Sequence, residues 1–91
     1  MKIEFDEGKR LKLLEERGLD LRDDPPLVFA GRHIELEDTR KDYGEKRFRV
    51  RGYLRGRRVS LVWTLRGNAR RIITMRYAHE QEHEAIFRTL D

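Results

Sequence analysis

The sequence predicts an α+β fold in which a small, mostly antiparallel, twisted sheet packs against an N-terminal helix. Leucines at helical spacing follow the first residues of the chain. Between residues 46 and 78, apolar and polar residues alternate, as they do in half-buried strands. The turn sequences RG at 55–56 and RGNA at 66–69 divide this stretch into consecutive hairpins. The chain has 91 residues, enough for one core, so we expect a single domain over residues 1–91.

The N-terminal segment predicts a short strand and then a helix. Apolar and charged residues alternate over residues 2–5, which is typical of a strand. Asp6 follows at a position where its carboxylate can accept the first free N–H groups of a helix. Gly18 supplies the left-handed residue that ends many helices, so we expect this helix over residues 7–17.

The middle of the chain predicts little regular structure before the next strand. A second helix can open at Asp20, but Pro25 and Pro26 remove backbone donors and disfavour helical geometry before them. We therefore expect a helix of about one turn there. The alternation in RHIELED predicts a strand at residues 33–37, and its charge favours an edge position.

The second half of the chain predicts three strands and a final helix. The strands cover residues 46–54, 57–65 and 70–78, and the last is richer in apolar residues than the first, which favours an interior position. Trp63 falls on the apolar side of its strand and is expected in the core. The segment HEQEHEAIFRTL at 79–90 predicts a short C-terminal helix, which completes the order β-α-(α)-β-β-β-β-α.

Composition favours a polyanionic partner. The chain has 21 basic and 17 acidic residues, a net charge of +4 and a sequence pI near 9.8. It contains no cysteine, which excludes disulfides and thiolate metal ligands. No apolar run approaches the about 18 residues needed to span a membrane. We expect a cytoplasmic protein without a membrane partner.

Alternation also predicts that several arginines share one face of the sheet. Two interpretations of this face stay open: a solvated surface whose arginines pair with Glu35, Glu37 and Glu45, or a groove for an RNA backbone, whose phosphates guanidinium groups bind. The arginines assigned to this face are Arg47, Arg49, Arg51, Arg66 and Arg76.

Two motifs resemble those of a known family. The patterns R-x-D-Y-G-E-x-R at 40–47 and T-x-R-G-x-x-x-R-I-I-x-x-R at 64–76, with FDEGK near the N-terminus, resemble the BrnT toxins of type II toxin–antitoxin pairs, which have a RelE-like fold. The resemblance covers residues 3–87. It implies an endoribonuclease that needs no metal or other cofactor and inhibits translation. It also implies a ribbon-helix-helix antitoxin, a 2:2 complex, and repression of the shared operon through operator DNA.

The resemblance also implies site residues. Arg66 and Arg76 are the matched arginines, expected to act on the scissile phosphate, with Arg76 the first choice. In the matched loop, Lys41 or Glu45 is expected to transfer a proton. His79 is a candidate acid because histidine is a common acid catalyst, although a solvated histidine at a helix start is an equal alternative. If the arginine-rich face is a groove for RNA, strand alternation makes Arg47, Arg49 and Arg51 RNA-binding residues, and the matched loop adds Arg40 and Tyr43.

Tyr43 has two expected roles, since it can stack on a base or pack within the loop. The sequence also departs from the resemblance at four places. Phe5 stands where relatives have Trp, Arg17 where they have His, and Tyr77 where many have Lys. Two prolines, at 25 and 26, interrupt what is usually a helix.

Two rival functions follow from the same residues. The basic face can bind RNA or DNA without cutting it, which predicts salt-dependent affinity and intact product. The segment HEQEH at 79–83 satisfies the H-E-x-x-H pattern, in which His79 and His83 can bind zinc and Glu80 can polarise a water molecule. A chain this small leaves little room for a substrate cleft, so we interpret the pattern as a solvated helix face and expect no metal site.

Overall fold

The computed structural model describes residues 1–81, 83 and 84, and over these residues the chain forms two helices and one five-stranded sheet. The predicted α+β class is confirmed. In chain order the elements are β1 (Lys2–Glu4), α1 (Glu7–Arg17), α2 (Asp24–Ala30), β2 (Ile34–Glu37), β3 (Arg47–Leu54), β4 (Arg57–Arg66) and β5 (Ala69–Tyr77). Of the predicted C-terminal helix, Glu80, Gln81, His83 and Glu84 are helical. Its remaining residues, 82 and 85–90, lie outside the described part of the chain.

The strands lie in the order β1-β5-β4-β3-β2. β1 runs parallel to β5, and every other neighbouring pair is antiparallel. β2 is an edge strand and β5 lies inside the sheet, as their charge and apolar content predict. The turn between β3 and β4 consists of Arg55 and Gly56, whose φ values of 48° and 81° are both positive. Such a two-residue turn matches the twist of the strands it joins.

The two helices cover one face of the sheet. α1 begins after Asp6, whose carboxylate accepts the N–H of Lys9 at 2.8 Å, and it ends at Gly18, as predicted. Trp63 lies in the core as predicted, with its ring stacked on Phe48 at a centroid distance of 4.7 Å. The core cluster comprises Leu13, Leu19, Leu21, Val28, Val50, Leu54, Val59, Leu61, Trp63, Ile72 and Met75.

The prediction of a one-turn helix opening at Asp20 is wrong. The helix α2 begins at Asp24 and is seven residues long, and Pro25 and Pro26 lie in its first turn. The N–H groups of a first turn have no partner within the helix, so proline loses no hydrogen bond there. The carboxylate of Asp24 instead accepts the N–H of Asp20 at 2.8 Å, which holds the preceding turn against the helix.

An ion pair joins this turn to α1. Arg10 donates from Nε to one oxygen of Asp20 at 2.8 Å and from Nη2 to the other at 3.2 Å, and both side chains are mostly buried. The hydrogen bonds from Arg10 lower the pKa of Asp20 from 3.8 to about 2. The charged form of Asp20 is therefore favoured by folding.

A β-bulge interrupts the pairing of β4 with β5. Val62 pairs with Thr74 and Trp63 pairs with Ile72, so Ile73 is an extra residue on β5. Successive side chains of a strand point to opposite faces of the sheet. One extra residue therefore reverses the face to which each β5 side chain before the bulge points.

The bulge determines to which face of the sheet Arg70 and Arg71 point. Arg70 lies on the helix-covered face, with its guanidinium 3.9 Å from the ring centroid of Phe29 and 5.0 Å from that of Trp63. Arg71 consequently lies on the opposite face, in register with Thr64. Without the bulge, alternation counted back from Arg76 would place Arg71 on the helix-covered face and Arg70 on the opposite face.

We predict that Gly52→Ala destabilises the protein by about 1–3 kcal/mol, because a Cβ at residue 52 would lie 2.8 Å from Cγ1 of Val28 on α2. Gly8→Ala in α1 is the matched control, since its Cβ would meet only an Asp6 oxygen at 3.4 Å. Its stability should be unchanged or slightly raised. Thermal unfolding of both variants checks this, and equal melting temperatures would contradict it.

We also predict that Asp20 makes a contribution to the free energy of unfolding that is lost in acid. A lowered pKa in the folded state means that the ion pair stabilises above pH 3.8, and that this stabilisation is lost as the pH falls toward about 2. Asp20→Asn should lower stability at neutral pH and lose less stability than the unsubstituted chain between those two pH values. Urea unfolding across the range measures this. Parallel losses in the two proteins would show that Asp20 is not responsible.

Candidate nucleic-acid interface

The face of the sheet opposite the helices carries a dense set of arginines. Register assigns seven of them to this surface in the described chain, and we call it the arginine face: Arg47, Arg49, Arg51, Arg58, Arg66, Arg71 and Arg76. Five of these were predicted from alternation, Arg58 was left out although it follows the same alternation, and the bulge in β5 brings Arg71 to this side. No pattern in the sequence marks that bulge.

The edge strand β2 contributes apolar side chains to the arginine face. Ile34 pairs with Arg51 and Leu36 pairs with Arg49, so these two apolar residues share the face of their partners. Glu35 therefore lies on the opposite face, where its carboxylate accepts the indole N–H of Trp63 at 2.7 Å. The expectation that Glu35 and Glu37 pair with these arginines is wrong, because β2 directs both glutamates to the helix side.

The carboxylate of Glu45 lies among the arginines at one end of this face. Glu45 accepts from Nε of Arg47 at 3.0 Å, and its other oxygen lies 3.9 Å from Nη2 of Arg66. The Glu45 side chain is 30% exposed and that of Arg66 is 54% exposed. Thr64 holds the loop to β4 by donating to the carbonyl oxygen of Lys46 at 2.7 Å. A carboxylate and two guanidinium groups thus meet at the β4–β5 turn end of the arginine face.

Asp38 organises the loop that carries Glu45. Its buried carboxylate accepts from Nε and Nη2 of Arg40 at 2.8 and 2.9 Å and from the hydroxyl of Tyr43 at 3.2 Å. The hydrogen bonds from Arg40 hold the pKa of Asp38 well below its usual range. The Tyr43 ring packs against the guanidinium of Arg47 at 4.2 Å, and Lys41 Nζ lies 5.9 Å from the same ring.

The opposite end of the arginine face contains Arg76. It lies in register with Ser60 on β4, which pairs with Arg51 on β3. Arg76 donates to the carbonyl oxygen of Tyr77 at 3.3 Å, while Arg51 is only 8% exposed. Ser60 and Arg66 are six positions apart along β4, a distance of roughly 20 Å. The structure therefore does not bring Arg66 and Arg76 together, because consecutive antiparallel strands end at opposite sides of a sheet.

The two histidines of the HEQEH segment lie in different surroundings. His79 is exposed, two residues after β5, at the Arg76 end of the sheet. His83 is buried, donates from Nε2 to the carbonyl oxygen of Gly52 at 2.8 Å, and packs against the Tyr53 ring. The solvated-face interpretation is thus wrong for His83. Among the described residues, no group of three or more His, Cys, Asp or Glu side chains can hold a metal ion.

The positions that depart from the resemblance have structural contacts. Arg17 donates from Nη1 to the carbonyl oxygen of Met75 at 3.0 Å, which ties the end of α1 to β5. Phe5 and Tyr77 pack against the core, and Arg57 covers the Tyr77 ring at 3.8 Å. In the described part of the chain, no helix is long and apolar enough to span a membrane.

The chain was compared with known proteins. A family model described as the ribonuclease toxin BrnT of type II toxin–antitoxin systems matches residues 5–82, which contain both helices and strands β2 to β5. No curated protein matches the chain.

Proposed function

This chain belongs to the BrnT family of ribonuclease toxins of type II toxin–antitoxin systems, and we propose that it is an endoribonuclease that cleaves RNA without a metal ion and thereby inhibits translation. Membership implies an RNA substrate and a protein antitoxin. Beyond family membership, the observation that supports metal-free cleavage is the position of Glu45, a partly exposed carboxylate held between Arg47 and Arg66.

Cleavage of RNA without a metal needs a base, fixed cations and an acid. We assign the base to Glu45, which takes the proton of the 2′-hydroxyl as the 2′-oxygen attacks phosphorus. The P–O5′ bond breaks, and the products are a 2′,3′-cyclic phosphate and a 5′-hydroxyl. Arg47 and Arg66 neutralise the charge that develops on the phosphate oxygens. Lys41, in the same loop, donates the proton to the departing 5′-oxygen.

The loose geometry of the Glu45 cluster supports this assignment. Arg66 lies 3.9 Å from the carboxylate and is more than half exposed, so its guanidinium can turn toward a phosphate without losing a tight hydrogen bond. Arg47 is fixed by the Tyr43 ring, which Asp38 holds in turn. One cation is therefore preorganised and the other is adjustable, as binding and transition-state stabilisation require.

Arg76 and His79 receive a different role in this proposal. They lie at the far end of the arginine face, roughly 20 Å from Arg66 along the strands. Groups at that distance do not act on the phosphate bound at Glu45. We propose that Arg76 and His79 contact the RNA backbone several nucleotides away.

The antitoxin side of the proposal rests on family membership and charge. A domain with net charge +4 and an arginine face is suited to an acidic antitoxin segment. We propose a ribbon-helix-helix antitoxin in a 2:2 complex that represses the shared operon, with both proteins acting in the cytoplasm. Covering Arg66 and Glu45 would be sufficient to neutralise the toxin.

Cleavage of purified RNA in the presence of EDTA tests the assignment. We expect cleavage to persist in the chelator and to leave 2′,3′-cyclic phosphate ends. Glu45→Gln and Arg66→Ala should each lower the rate by about 100-fold or more, and Arg76→Ala by less than about tenfold. Arg22→Ala, an exposed arginine outside the arginine face, is the matched control and should cleave normally.

The same series can contradict the proposal in two ways. An active Glu45→Gln variant beside an inactive Arg76→Ala variant would move the catalytic centre to the opposite end of the sheet. Intact RNA in every reaction, with or without added ribosomes, together with salt-dependent binding, would indicate a binding module in place of a nuclease.

A further inference from the structure

Arg49 differs from the other arginines of its face. Within the described residues it makes no hydrogen bond, ion pair or aromatic contact, and its buried Nε has no acceptor. Four other arginines of the face have carboxylate partners. These pairs are Arg47 and Arg66 with Glu45, Arg58 with Glu80, and Arg71 with Glu4.

The register of the sheet explains why Arg49 lacks a carboxylate partner. Arg49 pairs with Leu36 on β2 and with Val62 on β4, and Val62 in turn pairs with Thr74 on β5. The glutamates of β2 lie on the opposite face. Arg49 is half-buried between two apolar side chains, where a charge interacts more strongly with an anion than it would in water.

Arg49 is also adjacent to the proposed catalytic cluster. It lies two residues from Arg47 on β3, so the two arginines project from the same face about 7 Å apart. A ligand that places one anion at Arg47 and another at Arg49 has repeating charges, which is the chemistry of a nucleic-acid backbone. Arg51, two residues further on, is 8% exposed and is not an equivalent position.

We infer that Arg49 binds a second, uncleaved phosphate of the RNA, next to the phosphate held by Arg47 and Arg66. This inference rests on the proposed function for its choice of RNA, but it concerns binding alone. An unpaired, half-buried guanidinium lowers the stability of the free protein, and a bound phosphate removes that deficit. The substrate must therefore carry a phosphate beside the scissile one, and a dinucleotide with a single phosphate is too short to use this site.

Binding of a 2′-O-methyl oligonucleotide tests the inference, because this RNA analogue cannot be cleaved through its 2′-oxygen. Affinity is measured against salt concentration for the unsubstituted protein, for Arg49→Ala and for the control Arg22→Ala. Each phosphate contact in a single strand contributes about 0.7 to the slope of log K against log salt. We expect Arg49→Ala to bind more weakly and to lose about 0.7 of slope, whereas Arg22→Ala keeps both.

Stability separates a binding role from a structural one. Since Arg49 has no partner among the described residues, Arg49→Ala should melt at the same temperature as the unsubstituted protein or at a higher one. A lower melting temperature, or an unchanged salt slope, would overturn the inference. Arg49→Lys should recover most of the slope, because the contact requires a positive charge.

The outcomes also separate this inference from the proposed function. A protein that binds the oligonucleotide with the expected slopes but cleaves no RNA would contradict the nuclease proposal and leave the Arg49 site intact. A protein that cleaves RNA but shows equal slopes with and without Arg49 would keep the nuclease proposal and overturn the Arg49 site.

Discussion

Val50, Leu61 and Met75 lie side by side on the three central strands, and all three are fully buried beneath the helices. Slipping one strand by a single residue would exchange its buried and exposed side chains, so burial of this row fixes the register. The adjacent row, which points the other way, is Arg51, Ser60 and Arg76. The concentration of arginines on one face is therefore a direct consequence of packing on the other.

The positive charges of the arginine face repel one another, and nearby carboxylates reduce this repulsion in some parts of the face more than in others. Glu45 and Glu4 pair with arginines at one end of the sheet, and Glu80 pairs with Arg58 at the other. In the middle of the face, β2 presents Leu36 beside Arg49 in place of a carboxylate. Proteins commonly tolerate such local instability where a ligand binds. The distribution of the acidic residues accordingly distinguishes the end where we propose catalysis from the middle where we propose binding.

Much of the fold could be predicted from the sequence, since strong alternation and turn residues define β3, β4 and β5, and a capping Asp6 and a terminal Gly18 define α1. The position of α2 was missed because proline is harmful inside a helix but harmless in its first turn. The family was indicated by two motifs, yet they could not place Arg66 and Arg76 at opposite ends of the sheet. The bulge at Ile73 depends on tertiary pairing and is invisible in the sequence.

We propose that the phosphate to be cleaved binds between Arg47 and Arg66 beside Glu45. A crystal structure of the Glu45→Gln variant with a 2′-O-methyl oligonucleotide tests this placement. We expect a backbone phosphate within hydrogen-bonding distance of both guanidinium groups, with the blocked 2′-oxygen facing residue 45. An oligonucleotide whose backbone avoids this cluster and lies along Arg76 and His79 would contradict it.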